Sequence, residues 1–303
     1  MAIILNLRPG LITDQNYKAF KFPGGELHFI LSDSFKYILN ESNDDIHVYA
    51  GVNSAEDLIL LCIAVETIAK TYTNEIHVVF AYMPYQQADR DFSEGESFSL
   101  KTITNILNGL PVQSFTIYDP HSDVSPALLR NCQVITNHNY IKEVVDSIVH
   151  EDFQEELVIL SPDAGAYKKI FKLAEAIKFD GGIETANKYR DIRSGDLKVR
   201  FSCDDFNGRD VLIVDDICIG GATFIALAEE LLDKNVGKLY LAVSHGIFSR
   251  GFGELGNYFS KIYTTNSRHS EYGDLIDDWN INHAPRTNKY HTDEFELAVH
   301  SII

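Results

Sequence analysis

The stretch Val211–Phe224, VLIVDDICIGGATF, decides the fold of this chain. Four consecutive apolar residues, Val211 to Val214, leave no polar face, so the spacing predicts a strand buried on both sides in a parallel sheet. Asp215 and Asp216 follow at its C-terminal end, and the small-residue turn Gly220-Gly221-Ala222-Thr223 opens an apolar-periodic helix over 224–232. Open α/β sheets bind ligands outside the carboxyl ends of their strands. A glycine turn leading into a helix aims backbone N–H groups at an anion there. The two carboxylates repel phosphate but suit the hydroxyls of a sugar, or a metal ion beside it. Acid pair and phosphate cradle together describe a site for a ribose phosphate. The same residues also read as a solvated strand end before an ordinary turn.

Outward from that stretch, strand and helix patterns alternate. Strands are expected at 46–52, 76–80 and 113–118, and helices at 55–70 and 99–110. The second half repeats the logic, with strands at 157–160 and 239–243 and a helix at 166–176. Strands separated by helices of this length form parallel βαβ units, so the fold class is α/β. Two domains of similar size, 1–145 and 146–303, are the expected partition, joined within the polar, helix-like run 137–156. The last residues, FELAVHSII (295–303), read as a helix packed back on the body, against the N-terminal domain.

Composition narrows the function. Against 26 Lys and Arg stand 44 Asp and Glu, a formal net charge of -18, which argues against non-specific nucleic-acid binding. Phosphate substrates stay open, because Mg²⁺ and a few local cations can reverse the sign at one site. Cys62, Cys132, Cys203 and Cys218 are widely spaced with no CxxC pair, so neither a zinc site nor a disulfide framework is suggested. MAIILNLRPG is too short an apolar run for a signal peptide and has no basic start. No stretch approaches the ~18 apolar residues of a membrane span. A soluble, cytoplasmic protein is the expectation.

The strand, acid pair and loop of 211–224 resemble the motif of type I phosphoribosyltransferases. Further segments extend the likeness over roughly residues 20–270 to the ribose-phosphate pyrophosphokinase family. These are FPGGE (22–26), YMPYQQADRDFSEGESFSLK (82–101), DPHSD (119–123), LSPDAGAYKK (160–169), NKYRD (187–191) and SHGIFS (244–249). The resemblance implies two phosphoribosyltransferase-like domains, each a mostly parallel sheet flanked by helices. It implies transfer of the β,γ-diphosphate of MgATP to the anomeric hydroxyl of ribose 5-phosphate, with release of AMP. Phe22 would then stack on adenine and Glu26 contact the base. His121 and Asp163 would hold Mg²⁺, while Lys188 and Arg190 would stabilise the transferring diphosphate. Asp215 and Asp216 would fix the ribose hydroxyls, with Gly220, Gly221, Ala222 and Thr223 around the phosphate. His245, within SHGIFS, reads as structural. From the residues alone each segment also has a plainer role: a Pro-Gly-Gly turn, a surface histidine, a helix-capping aspartate, two solvated cations.

Two departures matter. Gln87 and Ala88 stand where the family has Arg-Gln, so the ATP phosphates must be held differently, with Gln87, Asp89 and Arg90 at hand. The family's Asp-Thr-x-Gly-Thr loop is replaced by Ile219-Gly220-Gly221-Ala222-Thr223. A terminal phosphate needs several donors, whereas a diphosphate continuing into a nucleoside needs fewer donors and more room. Ribose 5-phosphate and ADP-ribose are both open as acceptors, the second being used by phage-type relatives in NAD rebuilding. The competing classes are a non-catalytic regulatory paralogue and a plain phosphoribosyltransferase. The family also implies a homo-oligomer, dimer or hexamer, with no nucleic-acid or membrane partner.

Overall fold

The computed structural model describes residues 2–7, 9, 10, 14–149, 156–163, 165, 167–190, 197–268 and 296–301, apart from the side chains at 188–190, 197–199 and 296. The chain divides into two units, Met1–Thr136 and Asn137–Ile303. The first begins with strand β1 (Ile3–Leu7), hairpin β2 (Tyr17–Lys21) and β3 (Leu27–Leu31), and helix α1 (Asp33–Glu41). β4 (Ile46–Ala50), α2 (Ala55–Thr71), β5 (Ile76–Phe80), α3 (Ser99–Asn108), β6 (Ser114–Tyr118), α4 (Val124–Leu128) and β7 (Cys132–Ile135) follow. The sheet runs β1-β4-β5-β6-β7, every pair parallel. In β1, β4 and β5 every second residue is buried, as a pleated strand with one covered face requires.

α2 starts where it does because its ends are satisfied locally. The Ser54 hydroxyl accepts from Asp57 N–H at 3.2 Å, and Asp57 accepts from Ser54 Oγ at 2.8 Å and Asn53 N–H at 3.0 Å. The arrangement resembles a capping box, with the aspartate in the third helical position accepting the N–H one residue before the N-cap. Leu58, Leu60, Leu61, Ala64, Val65 and Ile68 then enter the core shared with the sheet and hairpin.

The second unit opens with α5 (His138–Ile148), whose Tyr140, Ile141, Val144 and Val145 lie in this unit's core. β8 (Leu157–Ser161), α6 (Tyr167–Ile177), β9 (Gly182–Thr185) and the antiparallel hairpin β10 (Asn187–Arg190) and β11 (Leu197–Arg200) come next. β12 (Asp210–Cys218), α7 (Ala222–Leu232), β13 (Leu239–Gly246), β14 (Lys261–Thr265) and β15 (Glu296–His300) complete it. The sheet order is β15-β14-β13-β12-β8-β9, all pairs parallel. Alternate strand residues feed opposite cores. Val211 and Ile213 pack with α7 on one face, and Leu212 and Val214 with α5 and α6 on the other. Central strands buried on both faces need continuous apolar runs, which is why LVIL and VLIV look as they do.

Two expectations are corrected. The strand predicted to end at Val214 continues to Cys218, so Asp215 and Asp216 lie within it. β12 loses β8 after the pair Ile213↔Leu160 but stays registered with β13 as far as Cys218↔Gly246. Those extra ladder bonds carry the acids past the end of β8. The C-terminal stretch expected as a helix is strand β15, paired with β14. Its residues obey period two: Leu297 packs against one core and Ala298 against the other.

Candidate functional site

In the first unit, three segments from the motifs stand at strand and hairpin ends. The tip of β2–β3 is a tight turn, with Gly25 N–H donating to Phe22 O at 2.8 Å and Phe22 N–H to Glu26 O at 2.9 Å. Gly25 has φ 95, which a side chain rarely adopts. The tip exposes Phe22, whose ring packs 5.2 Å from both Phe20 and His28, and Glu26 is exposed beside it. An exposed aromatic surface with an acid next to it can receive a flat base.

After β5 the chain turns through Tyr85, at φ 60, and after β6 through Asp119, at φ 39. Non-glycine residues in this region concentrate at functional sites. The turns bring Asp89 and DPHSD together. The buried Asp89 carboxylate accepts both arms of the Arg90 guanidinium, at 2.7 and 3.0 Å, and the Ser122 hydroxyl at 2.7 Å. Arg90 holds its carboxyl down at about 2, with smaller help from Ser122 and His121. Gln86 is wholly buried, and its Oε1 accepts the His121 N–H at 3.0 Å, fixing the backbone under an exposed imidazole. Leu100 N–H, from the Ser-Leu-Lys segment, donates to Ala88 O at 3.1 Å. Gln87 is exposed beside this network.

The second unit places its acids at a topological switch point. From β8 the sheet grows one way to β9 and the other way to β12, β13, β14 and β15, and open α/β sheets bind ligands outside the carboxyl ends of the strands at such a point. Asp163 follows β8, with Ser161 Oγ donating to its carbonyl at 2.8 Å. A Cβ added at Gly165 would stand 3.2 Å from Asp163 Oδ1, so the missing side chain lets the carboxylate fold over the turn. From β12, the half-buried Asp215 accepts Asp216 N–H at 2.9 Å. Burial raises the Asp215 carboxyl well above the ordinary range, and the Asp216 and then Asp163 carboxylates add repulsion. Asp163, Asp215 and Asp216 therefore form one electrostatic group. The turn that follows caps α7 with Gly221 at φ 81 and no side-chain cap bond, leaving backbone N–H groups facing out beside exposed Ala222 and Thr223.

Positions 188 and 190 lie on β10, registered with Val199 and Leu197, and the Lys188 and Arg190 side chains lie outside the described residues. The base of that hairpin is tied to β9 by buried Glu184, which accepts Ser202 Oγ at 2.5 Å and Ser202 N–H at 3.2 Å. His245 is wholly buried, its Nδ1 2.8 Å from Ser267 Oγ. Among the described residues, Asp45, Glu75 and His77 offer ligand atoms within 4.8 Å of one another. They sit at the starts of β4 and β5, the opposite edge of the sheet from His121, away from the metal position the motifs imply. Sequence reasoning missed two residues of the Asp89–His121 network, Gln86 and Ser122. Both lie inside a quoted motif, but only folding shows what each touches. No helix among the described residues is long and apolar enough to cross a membrane.

No family model matches the chain. It is 26% identical over 238 residues to a ribose-phosphate pyrophosphokinase of Pyrococcus abyssi, covering 78% of each chain. It is 25% identical over 252 residues to the ribose-phosphate pyrophosphokinase of Sulfurisphaera tokodaii, covering 81% of this chain and 82% of that one. Its fold matches the crystal structure of phosphoribosylpyrophosphate synthetase from Mycobacterium smegmatis with a TM-score of 0.76 and 16% identity, over 99% of this chain and 94% of that one.

Proposed function

Because the chain belongs to the ribose-phosphate pyrophosphokinase family, we propose that it transfers the β,γ-diphosphate of ATP to the anomeric 1-hydroxyl of ribose 5-phosphate and releases AMP. The observation that carries this reading is the acid pair on the projecting end of β12, beside a glycine loop at the switch point. Diphosphoryl transfer asks for in-line positioning and neutralised charge rather than a protein nucleophile. Asp215 and Asp216 take the ribose 2- and 3-hydroxyls, and Gly220, Gly221, Ala222 and Thr223 the 5-phosphate. Lys188 and Arg190 stabilise the transferring group. Phe22 and Glu26 receive adenine, while Gln87, Asp89 and Arg90 serve the rest of the nucleotide. The Cys218 thiol on the same strand is pushed up to about 12 by burial, so it is no rival nucleophile.

Mg²⁺ fits the donor chemistry of each unit taken by itself: His121 offers an imidazole nitrogen in the first, and Asp163 a carboxylate oxygen in the second, where a cation would offset the repulsion that adds to burial in raising Asp215. When bound, the ion neutralises phosphate charge. ADP-ribose is a second acceptor favoured by the loop itself. Ile219, Ala222 and Thr223 are exposed, so a diphosphate continuing into a nucleoside has an open exit. Family membership makes a homo-oligomer, dimer or hexamer, the expected working form.

Parallel turnover of ribose 5-phosphate and ADP-ribose with MgATP, followed by mass, tests the proposal. AMP should appear together with the 1-diphosphorylated acceptor, and the preferred acceptor names the substrate. AMP without an acceptor, or none with either, overturns the proposal, and inactivity with both favours a regulatory paralogue. Arg190→Ala should cost ~2–4 kcal/mol of transition-state stabilisation, as lost electrostatic donors do elsewhere.

A further inference from the structure

We infer that Arg250 is a specificity-determining cation of the acceptor site, binding the phosphate on C5 of the acceptor ribose across the backbone of Gly220. The inference rests on the proposed function, since it assigns the acceptor to the loop between β12 and α7. A Cβ added at Gly220 would lie 3.4 Å from both Cδ and Nε of Arg250 and 3.6 Å from Cγ. The arginine side chain thus lies directly over the loop, with no side chain of residue 220 between them.

That position is built into the backbone. Ile247 N–H donates to Cys218 O at 2.8 Å, Phe248 N–H to the same oxygen at 3.3 Å and Ser249 N–H to Ile219 O at 2.7 Å. Ser249 Oγ adds a bond to Ile219 O at 3.2 Å. The turn carrying Arg250 is therefore strapped to the start of the loop rather than free beside it. Phe248 accepts φ 47 to make this turn, held by burial at 1% exposure and by the Phe252 ring 4.6 Å away. A strained residue fixed this firmly implies that the geometry after it is enforced by its surroundings.

Charge gives the cation its role. Asp163 after β8 and Asp215 and Asp216 on β12 put three carboxylates at neighbouring strand ends. A phosphate brought there by backbone N–H groups and a single threonine would meet three carboxylates. Arg250 is exposed, and its planar fork matches two phosphate oxygens at once, which an ammonium group does not. It supplies the charged donor that the apolar Ile219 and the bare Gly220 and Gly221 lack.

The test compares wild type, Arg250→Gln and Arg250→Lys in two assays. Calorimetry measures binding of ribose 5-phosphate and, separately, of ADP-ribose. Steady-state kinetics measures KM for acceptor and for ATP. Arg250→Gln should weaken acceptor binding and raise acceptor KM at least about 10-fold, leaving KM for ATP unmoved, and Arg250→Lys should recover only part of this. A larger loss with ribose 5-phosphate marks a terminal phosphate as the ligand, and a larger loss with ADP-ribose marks a diphosphate. Unchanged acceptor affinity in Arg250→Gln overturns the inference, even if wild type releases AMP as proposed. Acceptor binding that depends on Arg250 without AMP release would instead sustain the inference and overturn the proposed reaction. Absence of acceptor binding by wild type overturns the inference too.

Discussion

Gly221 should be costly to replace, for a reason that combines backbone conformation with packing. It caps α7 at φ 81, and a Cβ there would stand 3.0 Å from Leu255 Cδ2 and 3.1 Å from Leu255 Cδ1 and Cγ. Leu255 is 1% exposed, in the same core as Phe224, Phe248 and Phe252, so it has little room to retreat. Placing alanine in the left-handed region costs about 1–2 kcal/mol, and forcing a methyl into a packed core costs about 1–3 kcal/mol more. Gly221→Ala should thus lose about 2–5 kcal/mol, a fall in melting temperature of roughly 4–20 °C for a unit of this size. Gly251→Ala is the control. Its φ is 68, but nothing lies within 4 Å of its Cβ, so it should lose only the conformational part, about 1–2 kcal/mol. Urea and thermal unfolding of the full chain, followed by circular dichroism, measure both. Equal losses for the two variants, or a loss below about 0.5 kcal/mol for Gly221→Ala, would refute the claim that this loop is held by close packing on Leu255.

Two further predictions concern charge. Asp215 has a folded carboxyl pKa above its unfolded one, so the unfolded chain ionises first and the fold loses stability as pH rises beyond the ordinary carboxylate range. Asp215→Asn should therefore melt higher than wild type at pH 7–8, with the gain shrinking towards pH 4, while acceptor binding is lost; a variant less stable than wild type at pH 8 contradicts this. Asp89 is the opposite case, held at about 2 from an ordinary 3.8, so its contribution is full above pH 4 and lost as pH falls from 4 towards 2. Discounted for the exposed Arg90 partner, it should amount to about 1 kcal/mol. Acid titrations of wild type and Asp89→Asn should differ near pH 6 and converge below pH 2, and parallel curves throughout would count against it.

Much of the architecture was readable before folding. The strand over 76–80 is bounded as expected, because IHVVF alternates cleanly between covered and open positions. The helix over 55–70 is likewise found one residue longer, since Ser54 and Asp57 write its start into local hydrogen bonds. What failed depends on neighbours. Nothing in DDIC says that a partner strand will continue past Val214, and only the β13 ladder carries the acids beyond β8. The C-terminal ELAVH has residues acceptable to a helix, and only an open edge on β14 makes it a strand.

By itself, the sequence determined the α/β class and the chemical types offered at each strand end. Those are set by periodicity and by motifs a few residues long, whose physics is local. The tertiary structure decided which of those residues meet. It put Asp163 beside Asp215 at a switch point created by strand order, tied Asp89 to Ser122, and laid Arg250 over Gly220. Each of these pairings is separated by tens of residues, so it exists only once the sheet has chosen its order and register.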